Sequence, residues 1–371
     1  MQNNPAQTLT LDIDPKAIAQ NYQTFVQASG IAKCGAAVKA DAYGCGVQTI
    51  APILLANGCQ DFFVADAQEG AILRRLVGNA NIYVLNGVFE ETIPTIVSSN
   101  LIPIINSKHQ LNVWQGAGFI QSNSQSSTQP YALQVDTGMN RLGLSIDDAA
   151  QTLDQMPAKP CYIISHFACA DNVNDPKNAD QLSAFQALVT KYPDIKASMA
   201  NSAATLSNPN SRFDLTRPGI GIYGGNPFST QDNPMAVAVT AKTKIIDIRP
   251  IAKGETVSYG ATFTAQKPMR IATCGVGYAD GYPRSASGNG IALRSAEAQG
   301  AQVYFKGMKF DCVGRATMDL TMFDVSDIDD TEIKIGDWLE LFGHNILIDE
   351  LAERTGTISY EILSSIGRRN T

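Results

Sequence analysis

The 371-residue chain predicts an α/β plus all-β fold, an N-terminal (β/α)8 barrel followed by a C-terminal β-strand domain. Three observations carry that prediction. Short apolar runs, each followed by a longer amphipathic stretch, recur about every 26 residues from Gly35 to Gly219, the beat of buried parallel strands alternating with helices. The beat stops at a Pro/Ser/Asn-rich join between Asn226 and Pro234. Beyond it, short runs separated by Gly, Asp and Asn replace the helical stretches, as in an all-β domain.

Taken in order, Thr8 to Asp14 alternates, with Leu9, Leu11 and Ile13 on one face of a half-buried strand. Asp14 and Pro15 then supply an N-cap and a first-turn proline. Ile18, Tyr22, Phe25 and Val26 follow at helical spacing, and Gly30 stops the helix. Barrel strands begin near Gly35, Phe62, Ile82, Leu101, Tyr131, Cys161, Lys196 and Gly219. A doubly wound open sheet is the competing topology for such a beat. The polar run Gln121 to Thr128 reads as a surface loop before the fifth strand. After the join, strands are expected over Met235 to Ile251, Arg270 to Val276, Ala301 to Phe305, Phe310 to Val313 and Trp338 to Phe342, with one helix over Ile348 to Thr355. The barrel is thus assigned to residues 1–230 and the β domain to 231–371, residues 8–14 being a candidate strand of the second domain.

Lys and Arg number 28 against 35 Asp and Glu, a net charge of −7, and no long basic run occurs. Nucleic acid and acidic membrane surfaces are therefore not expected partners. No apolar run approaches the roughly 18 residues of a membrane span. Met1 to Thr10 lacks the basic patch and apolar core of a signal peptide, so a cytoplasmic protein is expected. Seven cysteines, an odd number with no C-x-x-C, argue against a disulfide framework or a zinc ribbon, and no metal site is expected.

Lys39 ends the first strand of the beat, in Val38-Lys39-Ala40-Asp41-Ala42-Tyr43-Gly44. The C-terminal strand ends form the active face of a barrel. An ammonium near low-dielectric walls there has a lowered pKa and becomes a candidate Schiff-base former; a solvated strand-end lysine is the plain alternative. Further motifs follow: V-D-T-G-M-N-R-L-G at 135–143, I-S-H-F-A at 164–168, A-N-S-A at 200–203 and R-P-G-I at 217–220. The series continues with V-S-Y-G at 257–260, G-Y-A-D-G-Y-P-R at 277–284, V-G-R-A-T-M-D at 313–319 and S-Y-E at 359–361.

These nine segments, in this order across nearly the whole chain, resemble those of the alanine racemases. The resemblance implies that Lys39 holds pyridoxal 5′-phosphate and acts as base on one face of the substrate α-carbon, with Tyr259 as base on the other. It implies that His166 and Arg217 lower the pKa of the tyrosine, and that Arg217 faces the cofactor's pyridine nitrogen. Phosphate would be held by Tyr43, Ser202, Gly219, Ile220 and Tyr360, with Asn201 at the helix start that follows the seventh strand. Arg141 would pair with the substrate carboxylate, Met318 would offer it a backbone N–H, and Tyr278 with Tyr259 and Tyr360 would narrow the entrance to admit a methyl side chain. Asp171, Arg284 and Arg315 resemble an outer gate, though a solvated ion-pair cluster explains them equally well.

Two positions depart from the pattern. Many relatives carry a carbamylated lysine where this chain has Gln134, so a neutral oxygen of Gln134 or a bound anion is expected to face Arg141. Cys45, where several relatives have histidine, reads as a small buried residue. The implied function is racemisation of alanine to supply D-alanine for peptidoglycan, by a homodimer with shared active sites. A broader racemase, a decarboxylase of basic amino acids and a cofactor carrier are the alternatives. The carrier stops at the barrel, and the decarboxylase should lack V-S-Y-G and V-D-T-G-M-N-R-L-G.

Overall fold

The computed structural model describes residues 7–119, 129–293 and 296–366; the run Gln121 to Thr128 lies outside them. The chain divides into two compact units, Ile18–Ala236 and a second made of Met1–Ala17 with Val237–Thr371. The first boundary differs from the 1–230 reading because strand β1 (Leu9–Ile13) pairs antiparallel with the start of the long strand Val239–Ile251, from Leu9 opposite Thr243 to Ile13 opposite Val239.

A closed parallel barrel forms the first unit. Its first strand is interrupted at Gly35 into β2 (Lys33–Cys34) and β3 (Ala36–Ala37). Then come β4 (Asp61–Val64), β5 (Asn81–Val84), β6 (Ile102–Ile105), β7 (Ala132–Gln134), β8 (Tyr162–Ile164), β9 (Lys196–Ser198) and β10 (Leu215–Thr216). From β3 to β9 each strand pairs in parallel with the next. Strand β10 pairs in parallel with β2, while the N–H of Asp214 donates to Ala197 O at 3.0 Å and that of Ala37 to Pro218 O at 2.9 Å. These bonds tie β10 to both neighbours and close the ring, which removes the open-sheet alternative. Every residue of β4, β6, β7 and β8 is buried, which is why these strands read as unbroken apolar runs.

The eighth strand corrects the sequence reading. It is Leu215–Thr216, whereas Ile220–Tyr223 within the run that begins at Gly219 is a 3-10 turn. Gly224, at φ 89°, ends that turn in a left-handed conformation that disfavours a strand.

The helix Pro15–Ser29 shows how local chemistry sets an element. Asp14 Oδ1 accepts the N–H groups of Lys16 (2.8 Å) and Ala17 (3.2 Å), Pro15 occupies the first turn, and Ile18, Tyr22 and Phe25 are fully buried on one face.

In the second unit, β11 (Val239–Ile251) is the central strand of an antiparallel sheet. The hairpin β12 (Thr256–Val257) and β13 (Phe263–Thr264) follows it, then β14 (Met269–Cys274), β15 (Gln302–Phe305), β16 (Met308–Asp311), β17 (Thr321–Asp324) and β18 (Trp338–Phe342). The sheet runs β16-β15-β18-β11-β14-β17, with β1 also on β11. The hairpin rests on a small core of Val257, Ala265, Met269, Ile271, Val313 and Met322. Strand β17 and the helix Ser359–Ser365 were not foreseen; the helix Ile348–Arg354 was.

Replacing Asp14 with alanine should destabilise the protein by about 1 kcal/mol, the usual worth of an N-cap side chain. Urea unfolding checks this, and an unchanged midpoint would mean that the Asp14 bonds are immaterial.

Candidate active site

The segment after Lys39 is a left-handed turn. Ala40, Asp41, Ala42 and Tyr43 all have φ between 51° and 55°. L-residues avoid this region at a cost of about 1–2 kcal/mol each, so the turn must be held by its surroundings. Glu69 Oε1 accepts the Ala40 N–H at 2.7 Å, Asp41 Oδ1 accepts the Val47 N–H at 2.7 Å, and the Gly44 and Gly46 N–H groups donate to Ala40 O and Asp41 O. The turn sets Lys39 at the C-terminal mouth of the barrel. Desolvation and the Arg141 charge lower the pKa of its ammonium, and Glu69 opposes them.

Arg141 is exposed on the loop between β7 and the helix Ile146–Gln155. That loop is shaped by Asp136, whose Oδ1 accepts the N–H groups of Gly138, Met139 and Asn140 at 2.7–3.2 Å. Gln134, the residue expected to face the guanidinium, is buried at the end of β7. Its Nε2 donates to Leu142 O at 3.3 Å, so the amide braces the loop backbone next to Arg141. No carboxylate pairs with Arg141 or Arg217 among the described residues.

Arg217 follows β10 and is 7% exposed. Its guanidinium donates to Ser198 Oγ, to Ser165 O (2.6 Å) and Met199 O (3.3 Å), and to His166 Nδ1 at 3.2 Å. Burial lowers its pKa to about 9, so it stays charged at neutral pH. A guanidinium only donates, so Nδ1 of His166 is the acceptor and Nε2 carries the proton. Desolvation, then the charges of Arg217, Arg141 and Lys39, depress the His166 pKa to about 3; the imidazole is neutral. Gln181, buried and missed by the sequence reading, fixes this loop. Its Nε2 donates to His166 O (3.0 Å) and Thr137 Oγ1 (3.2 Å), and its Oε1 accepts the Ala168 N–H (2.8 Å). Lys39, Arg141, His166 and Arg217 thus form one electrostatically coupled, cation-rich group at the barrel mouth.

A polar cradle lies at the same end. Asn201 caps the short helix Ser202–Ser207 through the Ala204 N–H (3.0 Å), and Ser202 Oγ accepts the Gly219 N–H at 2.7 Å. Tyr43 is buried and stacked on Tyr223, ring centroids 4.7 Å apart. A Cβ at position 219 would overlap the Tyr43 hydroxyl, so glycine there lets that hydroxyl meet the backbone. Ile220 opens the 3-10 turn, whose first N–H groups lack acceptors within it. Hydroxyls and N–H groups converging beside a buried cation fit a phosphate-bearing compound. Cys45 is buried, and burial pushes its thiol pKa well up, which makes it inert.

In the second unit, the four predicted residues stand on neighbouring segments. Tyr259 is 74% exposed, Met318 52% and Tyr278 44%, and Tyr360 is also exposed. Ser258 Oγ donates to Arg315 O (2.7 Å), and the N–H groups of Tyr278 and Ala279 donate to Thr317 O and Met318 O. Gly281 touches the end of the helix carrying Tyr360 so closely that a Cβ would overlap Ser365 O. The structure therefore gathers V-S-Y-G, G-Y-A-D-G-Y, V-G-R-A-T-M and S-Y-E, which lie far apart in sequence. The hairpin residues Thr256 to Gly260, with Arg249, Ile271, Thr317, Leu320 and Met322 among others, line an open cavity of about 540 Å³.

The family profile for the alanine racemase N-terminal domain matches residues 13–227, and that for the alanine racemase C-terminal domain matches residues 238–371. The chain is 44% identical to an alanine racemase of Rhizobium meliloti, over 97% of this chain and 94% of that one. It is 42% identical to a biosynthetic alanine racemase of Agrobacterium fabrum, over 97% and 92%. Among solved structures it superposes on the Bartonella henselae alanine racemase with covalently bound pyridoxal phosphate, with a TM-score of 0.87, 35% identity and 98% of each chain covered.

The His166 environment has a signature in stability. Between pH about 6.5, where a free histidine titrates, and about 3, the unfolded chain binds a proton that native His166 refuses. Stability must therefore fall as pH drops through that window. His166→Asn should lose less stability than the parent between pH 6.5 and 4 in thermal unfolding of the cofactor-free protein. Parallel pH dependences would contradict a neutral, desolvated imidazole.

Proposed function

The chain belongs to the alanine racemase family, and from that premise we propose that Lys39 and Tyr259 are the two bases of one racemising site. The reaction is the pyridoxal-phosphate-dependent interconversion of L-alanine and D-alanine. When bound, pyridoxal 5′-phosphate supplies an electron sink that acidifies the substrate Cα–H.

The chain's own residues do the rest. Lys39 holds the cofactor and takes or returns the proton on one face of Cα. Tyr259 does so on the other, because inversion needs an acid/base group on each side. A phenol is a poor base unless positive charge lies close. Arg217 supplies that charge, and the Nε2–H of neutral His166 is the donor that conveys it to the Tyr259 oxygen. Arg217, kept protonated, would by the resemblance lie against the ring nitrogen of the bound cofactor and would leave it without a proton, restraining side reactions. Tyr43, Ser202, Gly219, Ile220 and Tyr360 hold the phosphate, with Asn201 shaping the helix start. Arg141 grips the substrate carboxylate with its fork of donors, aided by the Met318 N–H, and Tyr278 narrows the approach.

The single observation that carries this reading is the group Lys39, Arg141, His166 and Arg217, in which neither arginine has a carboxylate partner among the described residues. Such a mouth is made for anions, and an amino-acid carboxylate with a phosphate ester supplies two. In the alanine racemases the two bases of one site come from different chains, and by that resemblance the working enzyme is a head-to-tail homodimer in which each site takes Lys39 from one protomer and Tyr259 from its partner. The exposure of Tyr259, Tyr278 and Met318 supports a surface that a second copy covers. The enzyme acts in the cytoplasm, and its D-alanine feeds the peptidoglycan of the cell wall.

Tyr259→Phe should lose at least a hundredfold in racemisation, the scale of one general base, while still washing solvent deuterium into Cα of one enantiomer without inversion. Undiminished racemisation would remove Tyr259 from the reaction. Mixing Lys39→Ala with Tyr259→Ala protein should restore some activity through heterodimers. No restoration, with subunit exchange confirmed by mass spectrometry, would rule out shared sites.

A further inference from the structure

Glu69 is the third residue of the helix Ala67–Val77, behind the N-cap Asp66, whose Oδ1 accepts the Gln68 and Glu69 N–H groups at 2.9 and 3.0 Å. A glutamate at this position ordinarily reaches back to the N–H of the cap residue. Glu69 does not. Its Oε2 accepts the Ala65 N–H at 2.7 Å, and its Oε1 crosses to the Ala40 N–H at 2.7 Å. One carboxylate thereby spans from the end of β4 to the first left-handed residue after Lys39. It is also the acidic side chain coupled to the Lys39 ammonium, which Arg141 repels.

We propose that Glu69 is a positioning residue for Lys39: it clamps the left-handed turn that aims the amine and supplies the negative charge beside it. The geometry requires both oxygens. The Ala65 bond anchors the carboxylate to the barrel wall, and the Ala40 bond transmits that anchorage to the residue bonded to Lys39. Burial raises the pKa of Glu69, and the Ala65 and Ala40 N–H groups, which bond its carboxylate, oppose that rise and hold charge on it. The proposal rests on the reading of Lys39 as a base, and its first test does not need the reaction.

Glu69→Gln keeps the size of the side chain but leaves one acceptor oxygen and turns an NH2 group toward an N–H donor. In cofactor-free protein, acylation of Lys39 by an amine-reactive reagent is followed against pH by peptide mass spectrometry. The charged groups coupled to Lys39 are Arg141 and Glu69, with His166 neutral beside it. Without the Glu69 charge the labelling midpoint should move to lower pH. In the loaded enzyme, kcat should fall about tenfold to a hundredfold, the penalty of a misaimed group. The Cα-deuterium isotope effect should rise for the enantiomer whose proton Lys39 takes and not for the other. Ser107→Ala, which uncaps the helix Lys108–Gly116, controls for lost stability and should move neither readout. Should Glu69→Gln not fold, Glu69→Asp, which keeps the charge but not the reach, should unbalance the isotope effects with a midpoint nearer the parent's. An unchanged labelling midpoint together with isotope effects that are unchanged, or move equally, would overturn the proposal. A parent protein that does not racemise alanine would instead overturn the functional reading, and the labelling would still test Glu69.

Discussion

Arg217 carries a positive charge at neutral pH into the barrel mouth, where no carboxylate pairs with it among the described residues. A buried cation is tolerated only where hydrogen bonds replace its water. Here those bonds come from Ser198 on β9, from the carbonyls of Ser165 and Met199 beyond β8 and β9, and from the His166 ring. Three adjacent strands must therefore end at matching heights, and the chain must leave β10 at Arg217. The consequences spread outward. His166 is held neutral with its Nδ1 turned inward, and Arg141 adds a further cation that no carboxylate pairs with among the described residues. The excess of positive charge is a standing demand for anions, in a protein whose net charge is −7. Global acidity and local basicity coexist because a few placed groups, not the total, determine what binds.

A second constraint is backbone strain. Four consecutive residues after Lys39 are left-handed, and Ser258, Gly260 and Ala261 around Tyr259 also have positive φ. Both proposed bases thus stand beside backbone that L-residues adopt only when compelled. In the barrel the compulsion comes from Glu69 and Asp41, whose carboxylates accept main-chain N–H groups. In the β unit it comes from Ser258 Oγ on Arg315 O. Such turns present a side chain at an angle that a regular strand end does not offer, and they fix it before any ligand arrives.

Much of this was legible in the amino-acid order, and the exceptions are instructive. Strands buried on both faces are unbroken apolar runs, so β4 to β8 were plain. The eighth strand was misplaced because Leu215–Thr216 is too short to form a run, while the apolar stretch Gly219 to Tyr223 winds into a 3-10 turn. Glu69 does not figure in the sequence reading, because that its carboxylate serves Ala40 depends on how two distant loops meet. Gln181 and the backbone role of Gln134 are hidden for the same reason: a glutamine in sequence does not say which carbonyl it will find. Motif residues such as Lys39 and Arg217 stood out by resemblance, whereas the groups that hold them are tertiary.

The account depends most on Arg217 keeping His166 neutral, with Nδ1 as acceptor and Nε2 protonated. Nitrogen-15 NMR of the His166 ring in the cofactor-free protein, followed from pH 8 down to pH 4.5, tests this directly. The structure predicts one bare and one protonated ring nitrogen throughout, with no titration in that range, since the pKa is depressed to about 3. A ring that becomes doubly protonated near the ordinary histidine value of about 6.5 would contradict it.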